Sequence, residues 1–264
     1  MKKQSLAYLA CFACVVALTA CDRQEQPAEQ SQEQQSAKKA LTDASNPLKV
    51  RPVELKRSKA GCNGDECAQV KLQWLEFTGE PKLTELVETE LLTMLSGDST
   101  QKDLPSFADS FLKNAEPLWE AGSRVSIKRG NGRLITLELR AHQYTGGAHA
   151  LPLISYLNID RQSRQALSLS DVLKADAEPD FWQAARKAHQ RWLDSEPQGF
   201  KPIAAFSQTD NFFIGGQAVE LRYNVYTLGP YAMGQPSLYV PCEEVRKLLR
   251  PNWAALCGPA KAAH

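Results

Sequence analysis

Hydrophobic and polar residues alternate along some stretches of this chain and recur every three or four positions along others. Strict alternation predicts a half-buried strand, and the longer period predicts an amphipathic helix. Strand-like alternation occupies residues 48–58, 68–77, 124–129, 133–142, 153–160, 212–214, 218–226 and 237–240. The helical period occupies residues 81–97, 104–120, 179–195 and 242–249.

Turn-forming residues connect several of these predicted strands. Gly130-Asn131-Gly132 and Gly215-Gly216-Gln217 each favour a hairpin, because their residues tolerate a positive φ. The chain shows neither a repeat nor a dinucleotide-binding fingerprint. It therefore predicts an α+β fold with a mostly antiparallel sheet and helices packed on it. We expect two interlocked subdomains, residues 47–145 and 146–251, followed by a tail of residues 252–264.

The N-terminal residues have the pattern of an export signal. Two lysines precede an apolar run over residues 6–18, which is shorter than the roughly 20 residues that span a bilayer. Leu18-Thr19-Ala20-Cys21 resembles the lipobox of bacterial lipoproteins, in which residues 1–20 are removed and the cysteine is acylated. An ordinary signal peptide with an incidental cysteine is the alternative. The lipobox predicts a lipid anchor on Cys21 and a protein of the bacterial cell envelope that faces the periplasm. Asp22, the residue after the cysteine, resembles a signal for retention on the inner membrane, but sorting rules differ between bacteria, so the choice between inner and outer membrane stays open.

Residues 21–46 form a predicted tether between the lipidated cysteine and the folded part. They are rich in Gln, Glu, Ser and Ala, and Leu41 is their one large aliphatic residue. Such a stretch buries too little apolar surface to offset its ordering entropy, so we expect it to be flexible.

The charge of the chain excludes one broad class of partner. The sequence has 31 Lys and Arg residues against 30 Asp and Glu residues, and removing Lys2 and Lys3 with the signal leaves 29 against 30, a net charge of −1. A near-neutral domain has no electrostatic footprint for nucleic acid and no general attraction to anionic lipid. Any partner must therefore be recognised locally.

Four cysteines remain after the signal and the acylated residue are set aside. An even number in an exported protein predicts two disulfides, with three connectivities open. Cys62 and Cys67 bracket a turn-prone insert and are predicted to pair locally, which leaves Cys242 to pair with Cys257. The alternative, a zinc site, lacks CxxC spacing.

Two histidines flank the glycine-rich segment of residues 142–149. His142 and His149 match no common metal motif, and no third ligand is evident, so we expect no metal and no cofactor. The sharp turn at Gly146-Gly147 favours a structural loop, although its successive N–H groups offer an alternative role in anion binding. An envelope hydrolase that uses both histidines and a carboxylate, for which Asp160 and Asp171 are the nearest candidates, is the competing functional interpretation.

A second segment, residues 224–235, carries aromatic side chains on a loop stiffened by glycine and proline. Such loops suit recognition, because tyrosine offers large contact area at little entropic cost. The alternative is that Tyr231 folds back over the sheet as a plug. The candidate binding residues are Tyr144, Gly146, Gly147, His149, Tyr226, Pro230, Tyr231 and Met233.

Three ordered motifs together carry a family resemblance: the GGAH loop at 146–149, the LSLSDVL segment at 167–173 and the PYAMG loop at 230–234. They resemble the exported domain of RsiV-type proteins over residues 46–251. In that family the domain belongs to a lysozyme-sensing anti-sigma factor, or stands beside a PdaC-type peptidoglycan deacetylase domain. Neither a sigma-binding segment nor a deacetylase domain is evident in this sequence.

The resemblance implies a binding module. We therefore expect a non-enzymatic, membrane-anchored lipoprotein that recognises a lysozyme-like protein or peptidoglycan. A structural or assembly lipoprotein that binds another envelope protein through residues 226–231 is a further alternative. The oligomeric state is left open.

Overall fold

The computed structural model of the chain describes residues 47–97, 101–196 and 205–258. The predicted signal peptide, the lipidation site Cys21 and the tether lie outside the described residues. Within the described ranges, no helix combines the length and the apolar character that a membrane crossing requires.

A six-stranded sheet organises the first part of the fold. Its strands follow chain order across the sheet, and every neighbouring pair is antiparallel except β2 and β3. The strands are β1 (Val50–Ser58), β2 (Gln69–Phe77), β3 (Glu120–Arg129), β4 (Leu134–Tyr144), β5 (Leu151–Asp160) and β6 (Gln165–Ala166).

Two helices cover one face of this sheet. Helix α1 (Pro81–Ser96) begins with a proline in its first turn and ends at Gly97, whose φ of 72° is the left-handed value of a C-terminal cap. Helix α2 (Leu104–Asn114) begins at Asp103, whose side chain accepts a hydrogen bond from Ser106 N at 2.7 Å. Buried residues of both helices join those of β2, β4 and β5 in one apolar core.

The predicted helix over 104–120 is too long. Helix α2 ends at Asn114, and Glu120 already begins β3. The residue before a proline disfavours helical backbone, so Pro117 restricts Glu116 and prevents the helix from continuing.

The second part of the fold has its own sheet and core. Strands β7 (Phe212–Ile214), β8 (Ala218–Arg222) and β9 (Ser237–Pro241) form an antiparallel sheet. Helix α4 (Glu178–Ser195) packs against it, and the short α3 (Leu169–Val172), α5 (Cys242–Val245) and α6 (Pro251–Ala254) complete the core.

The architecture confirms the predicted α+β class, but the parts divide at a different place. The larger sheet runs through the expected boundary at 145/146, because β4 pairs with β5 along its length. Leu167 already packs against the second core, so the division follows β6. The residues assigned to a tail from 252 onward also belong to that core as far as Cys257, since Trp253 and Cys257 are buried.

Both predicted disulfides are confirmed. The Cys62 and Cys67 sulfurs lie 2.04 Å apart, and the Cys242 and Cys257 sulfurs lie 2.03 Å apart. The second bridge holds the C-terminal segment, and the Arg246 guanidinium donates a 2.7 Å hydrogen bond to Cys257 O beside it.

Asparagine side chains join the two parts along the outer edge of β5. Asn211 Nδ2 donates to Ile154 O at 2.9 Å, and Asn211 Oδ1 accepts from Tyr156 N at 2.7 Å. Asn224 Oδ1 accepts from Ile154 N at 2.8 Å, and Asn158 Nδ2 donates to Phe212 O at 2.7 Å. These amides satisfy backbone groups that β6, which pairs only with the end of β5, does not reach.

Candidate functional site

The two segments singled out in the sequence meet in the structure. The rings of His149 and Tyr231 stack with centroids 4.7 Å apart and planes 9° from parallel. The Tyr231 hydroxyl donates to Ala150 O at 3.1 Å, and the ring of Tyr226 lies 5.7 Å from that of Tyr231. We call His149, Tyr226 and Tyr231 the aromatic face. Tyr231 therefore packs against the glycine loop.

The glycine loop connects β4 to β5 beside this face. Gly146 and Gly147 have φ values of 95° and 92°, which residues with a side chain rarely adopt. The Tyr144 hydroxyl donates to Gly147 O at 3.0 Å and closes the turn. Because that bond lies within the loop itself, Tyr144 has a clear structural role in shaping it.

Met233 and Pro230 shape the aromatic loop from inside. Met233 packs so closely on Gly229 that a Cβ there would lie 2.2 Å from the Met233 sulfur. Pro230 begins a short 3-10 helix, Tyr231–Met233, and Met233 N donates to Pro230 O at 2.9 Å. Both side chains are half-buried, so they support the loop and contribute little to its outer surface.

Tyr226 is held in an unfavourable backbone conformation. Its φ is 66°, in the left-handed region that costs a non-glycine residue about 1–2 kcal/mol. Its side chain is nevertheless 55% exposed, and its ring contacts that of Tyr231 at the surface. Strain of this kind concentrates at binding and catalytic sites, where the fold holds a side chain in place for a purpose other than stability.

A cleft of about 630 Å³ lies next to the aromatic face. It runs between the C-terminal end of α1 and the β4–β5 hairpin, and it reaches Asn224 at the start of the aromatic loop. Its lining combines amide and hydroxyl groups with apolar side chains, which is a typical lining for a site that takes a small polar ligand. The residues that line it include Glu90, Thr93, Gln143, Thr145, Leu151 and Asn224.

The other predicted histidine faces a different partner. His142 Nε2 lies 3.1 Å from a Glu120 carboxylate oxygen. Its ring covers Gly122, where a Cβ would lie 2.3 Å from His142 Cε1, so only glycine permits the contact. The structure thus pairs His142 with Glu120 on β3 and His149 with Tyr231, and it gives the two histidines no shared partner among the described residues.

The candidate carboxylates lie away from both histidines. Asp160 ends β5 and Leu151 begins it, so the strand separates Asp160 from the glycine loop by about 30 Å at roughly 3.4 Å per residue. Burial alone would raise the pKa of Asp160, but hydrogen bonds from Arg133 and Gln162 N lower it. Asp171 forms a capping box with Ser168, whose hydrogen bonds lower the pKa of that carboxyl.

Several site residues were missed in the sequence. Gln143 and Asn224 line the cleft, and Gln235 donates to Asn224 Oδ1 at 3.1 Å and to Pro152 O at 3.3 Å. Asn224 and Gln235 both fall in the segment 224–235, at its two ends. The polar amides at the two ends of this aromatic segment were the sequence signal that could have identified Asn224 and Gln235. Among the described residues, no three of the His, Cys, Asp and Glu side chains gather in a way that would hold a metal ion.

Comparison with known proteins places the chain near one family. Residues 170–243 match a family model described as a protein of unknown function, DUF3298. This match covers α4 and the whole of the second sheet. No curated protein matches the chain significantly.

Two solved structures share the fold over most of the chain. A DUF3298 family protein from Pseudomonas aeruginosa PAO1 is 29% identical, with a TM-score of 0.71, and the match covers 82% of this chain and 99% of that one. A member of the same family from Bacteroides fragilis is 16% identical, with a TM-score of 0.64 and coverage of 79% and 96%. The second likeness concerns the fold alone.

Proposed function

We propose that this chain is a lipid-anchored protein of the bacterial envelope whose domain binds the glycan of peptidoglycan and catalyses no reaction. The observation that carries the proposal is the aromatic face beside an amide-lined cleft. Tyr226 is exposed in a strained conformation, while His149 and Tyr231 hold one another in a fixed stack.

The chemistry of this surface suits a sugar polymer. Rings of tyrosine and histidine offer flat apolar faces that pack on the C–H faces of a sugar ring. Gln143 Nε2 bonds Leu95 O and Asn224 Oδ1 bonds Ile154 N, so Gln143 offers its carbonyl oxygen as an acceptor and Asn224 its NH2 group as a donor to the hydroxyl and acetamido groups of a cell-wall glycan. The rigid stack and the closed glycine loop lower the entropy lost on binding.

The resemblance to RsiV-type domains supports a cell-wall context and suggests a second candidate partner, a lysozyme-like protein. An apolar rim favours this candidate, since Leu151 is 46% exposed next to Ala150, which bonds Tyr231. The near-neutral net charge, −1 once Lys2 and Lys3 are removed with the signal, disfavours it, because a strongly basic partner is usually steered by an acidic surface. We therefore rank the glycan first.

Cosedimentation with purified sacculi tests the proposal on the full-length protein in mild detergent. We expect the protein to pellet with the sacculi, and Tyr226→Ala to reduce the bound fraction at least fivefold. Tyr239→Ala is the matched control, because Tyr239 is equally exposed, at 57%, but lies on β9 away from the aromatic face. The control should bind as the unchanged protein does.

Parallel measurements separate the other functions. Capture of lysozyme at moderate salt, lost in Tyr226→Ala, would favour the protein partner. Release of soluble sugar or peptide from the sacculi would indicate an envelope hydrolase. Copurification of another envelope protein from membranes, without binding to sacculi or lysozyme, would indicate an assembly role and would remove the present proposal.

A further inference from the structure

A second cleft lies at the opposite end of the six-stranded sheet from the aromatic face. Its volume is about 700 Å³. The wall is built from the chain entering β1, the turn between β2 and α1, the residues before β4 and the turn after β5. The residues that line it are Pro47, Lys49, Thr78, Gly79, Glu80, Gly132, Arg133, Arg161, Gln162 and Arg164.

Positive charge dominates this cleft. Four of its residues are cationic, namely Lys49, Arg133, Arg161 and Arg164, and Glu80 is its one carboxylate. With Asp160 behind Arg133 also counted, four positive charges face two negative ones, which leaves a net of two positive charges. The whole chain carries a net charge of only +1, so this concentration is local. A concave surface with one sign of charge focuses the field on an ion of the opposite sign.

Two of the arginines are fixed in place by carboxylates. Arg133 Nε lies 2.9 Å from each Asp160 oxygen, and Arg161 Nε lies 2.9 and 3.0 Å from the two Glu80 oxygens. Such pairing orients the planar guanidinium groups before any ligand arrives. The carboxylates take the Nε and Nη2 atoms of both guanidinium groups, so these two arginines contribute a fixed positive wall, and Lys49 and Arg164 are left to donate to the ligand.

The other two cations are exposed at the mouth of the cleft. Arg164 occupies the turn after β5 with a φ of 58°, and its backbone N–H donates to Asp160 O at 2.7 Å. Glycine or asparagine would adopt this left-handed conformation at lower cost than the arginine does. Lys49 precedes β1, and both side chains are solvent-accessible.

We propose that this cleft binds a phosphate group. The ligand is either a soluble phosphate or the phosphate of a lipid headgroup, and both present the same oxygens to the cleft. Pro47, which lines the cleft, is where the described chain begins, and the predicted lipid-anchored tether precedes it. The composition of the predicted tether is that of a random coil, whose reach over about 25 residues is on the order of 25–30 Å, so a lipid anchor at Cys21 would keep this end of the domain near the membrane surface. The headgroup source rests on that anchoring, whereas the phosphate site itself does not.

Isothermal titration of the full-length protein with inorganic phosphate tests the site. The variant Lys49→Gln with Arg164→Asn removes two charges, and asparagine tolerates the left-handed backbone at position 164. We expect saturable binding that weakens at least tenfold in this variant. The matched control, Lys187→Gln with Lys247→Gln, removes two exposed lysines elsewhere and should bind phosphate as before. Absence of saturable binding, or equal weakening in both variants, would overturn the proposal.

Flotation with vesicles identifies the source of the phosphate. The Cys21→Ser chain, which lacks the predicted acylation site, is mixed with vesicles of phosphatidylglycerol or of a neutral glycolipid without phosphate. Binding to phosphatidylglycerol alone, lost in the cleft variant but kept in the control, assigns the site to a lipid headgroup. Phosphate binding without vesicle binding assigns it to a soluble ligand. Sacculus binding should persist in the cleft variant, so failure of this site and failure of the glycan site are distinguishable.

Discussion

The side chain of Asn211 takes the place of a β-strand beside Tyr156. Its Oδ1 accepts the Tyr156 N–H at 2.7 Å, while its Nδ2 donates to the carbonyl two residues earlier, that of Ile154. One side-chain amide thus makes the two bonds that a neighbouring strand would make. The larger sheet and the second core are joined at this point.

Replacing Asn211 with alanine should weaken this joint. The change leaves the buried Ile154 carbonyl and the Tyr156 N–H without partners, so we expect the free energy of unfolding to fall by about 1–3 kcal/mol. Urea denaturation measures the loss. Asn114→Ala is the control, since that side chain bonds Ser110 O from an exposed position at the end of α2, and it should cost less than about 0.5 kcal/mol. Equal losses would show that the Asn211 amide has no special role.

Tyr226→Gly should raise stability while it abolishes sacculus binding. Glycine adopts the φ of 66° without the penalty that tyrosine incurs, and we expect a gain of about 1 kcal/mol in the free energy of unfolding. Leu118 is a close match, with a φ of 67° and the same 55% exposure, but it lies outside the aromatic face. Leu118→Gly should raise the free energy of unfolding by a similar amount, as measured by thermal denaturation, and leave sacculus binding unchanged. A loss of stability in Tyr226→Gly would contradict the strain argument.

The two histidines should respond differently to alanine. Removing the His149 ring takes away the partner on which Tyr231 stacks, so we expect His149→Ala to reduce sacculus binding several-fold. His142→Ala removes contacts with Glu120 and Gly122 on β3, away from the aromatic face, and should leave binding intact. Cosedimentation measures both. If His142→Ala reduced sacculus binding and His149→Ala did not, the binding surface would lie on the sheet near β3.

The domain should lose stability as the pH falls below neutrality, because of His189. Burial between Trp192 and Phe206 lowers the pKa of this histidine. The unfolded chain therefore takes up a proton as the pH falls through about 6.5, while the folded chain does not. This contribution to stability is fully present above that pH and is lost on acidification.

Urea unfolding at about pH 7.5 and about pH 5.5 checks this expectation. His189→Phe should shrink the difference between the two midpoints by more than half, because a phenyl ring stays neutral in the same aromatic surroundings. His142→Gln, which changes a half-exposed histidine, should leave the difference as it is. A pH dependence that survives in His189→Phe would assign it to other groups.

Loss of the C-terminal disulfide should destabilise the domain more than loss of the N-terminal one. The Cys242–Cys257 bridge closes a separation of 15 residues and the Cys62–Cys67 bridge closes one of 5. Loop-closure entropy then gives about 3 and about 2 kcal/mol respectively. Paired substitutions to serine, compared by urea denaturation, measure the two losses. The buried position of Cys257 adds to the first.

Local signals predicted much of the fold. The end of α1 at Gly97 follows from the glycine itself, and both disulfides follow from an even cysteine count in a chain predicted to be exported, together with the turn-prone insert between Cys62 and Cys67. The first four residues of β3, Glu120–Ser123, were not predicted as strand. They show no apolar alternation, and their strand conformation comes from parallel pairing with the distant β2. Only tertiary contact defines such a segment.

The candidate site was predicted in pieces that the sequence could not assemble. His149 and Tyr231 were each singled out, but their stack joins two loops far apart in the chain. The division at 145/146 failed for the same reason, since it treated a glycine-rich turn as a boundary when that turn joins β4 to β5. Local turn chemistry identifies a bend, and the partners of the flanking strands decide whether it separates two cores.

The parallel pairing of β2 with β3 has a consequence for the order of folding. The hairpin of β1 and β2 and the meander of β3, β4 and β5 each form from contacts between chain neighbours. Joining them requires the chain of residues 78–119 to cross over, with both helices docked on the sheet. The chain must lose the entropy of closing this loop before the distant contacts stabilise it, so we expect this step to limit the folding rate. Substitutions in the β4–β5 hairpin, which forms before this step, should then slow refolding, and so should substitutions at the β2–β3 seam that forms in it.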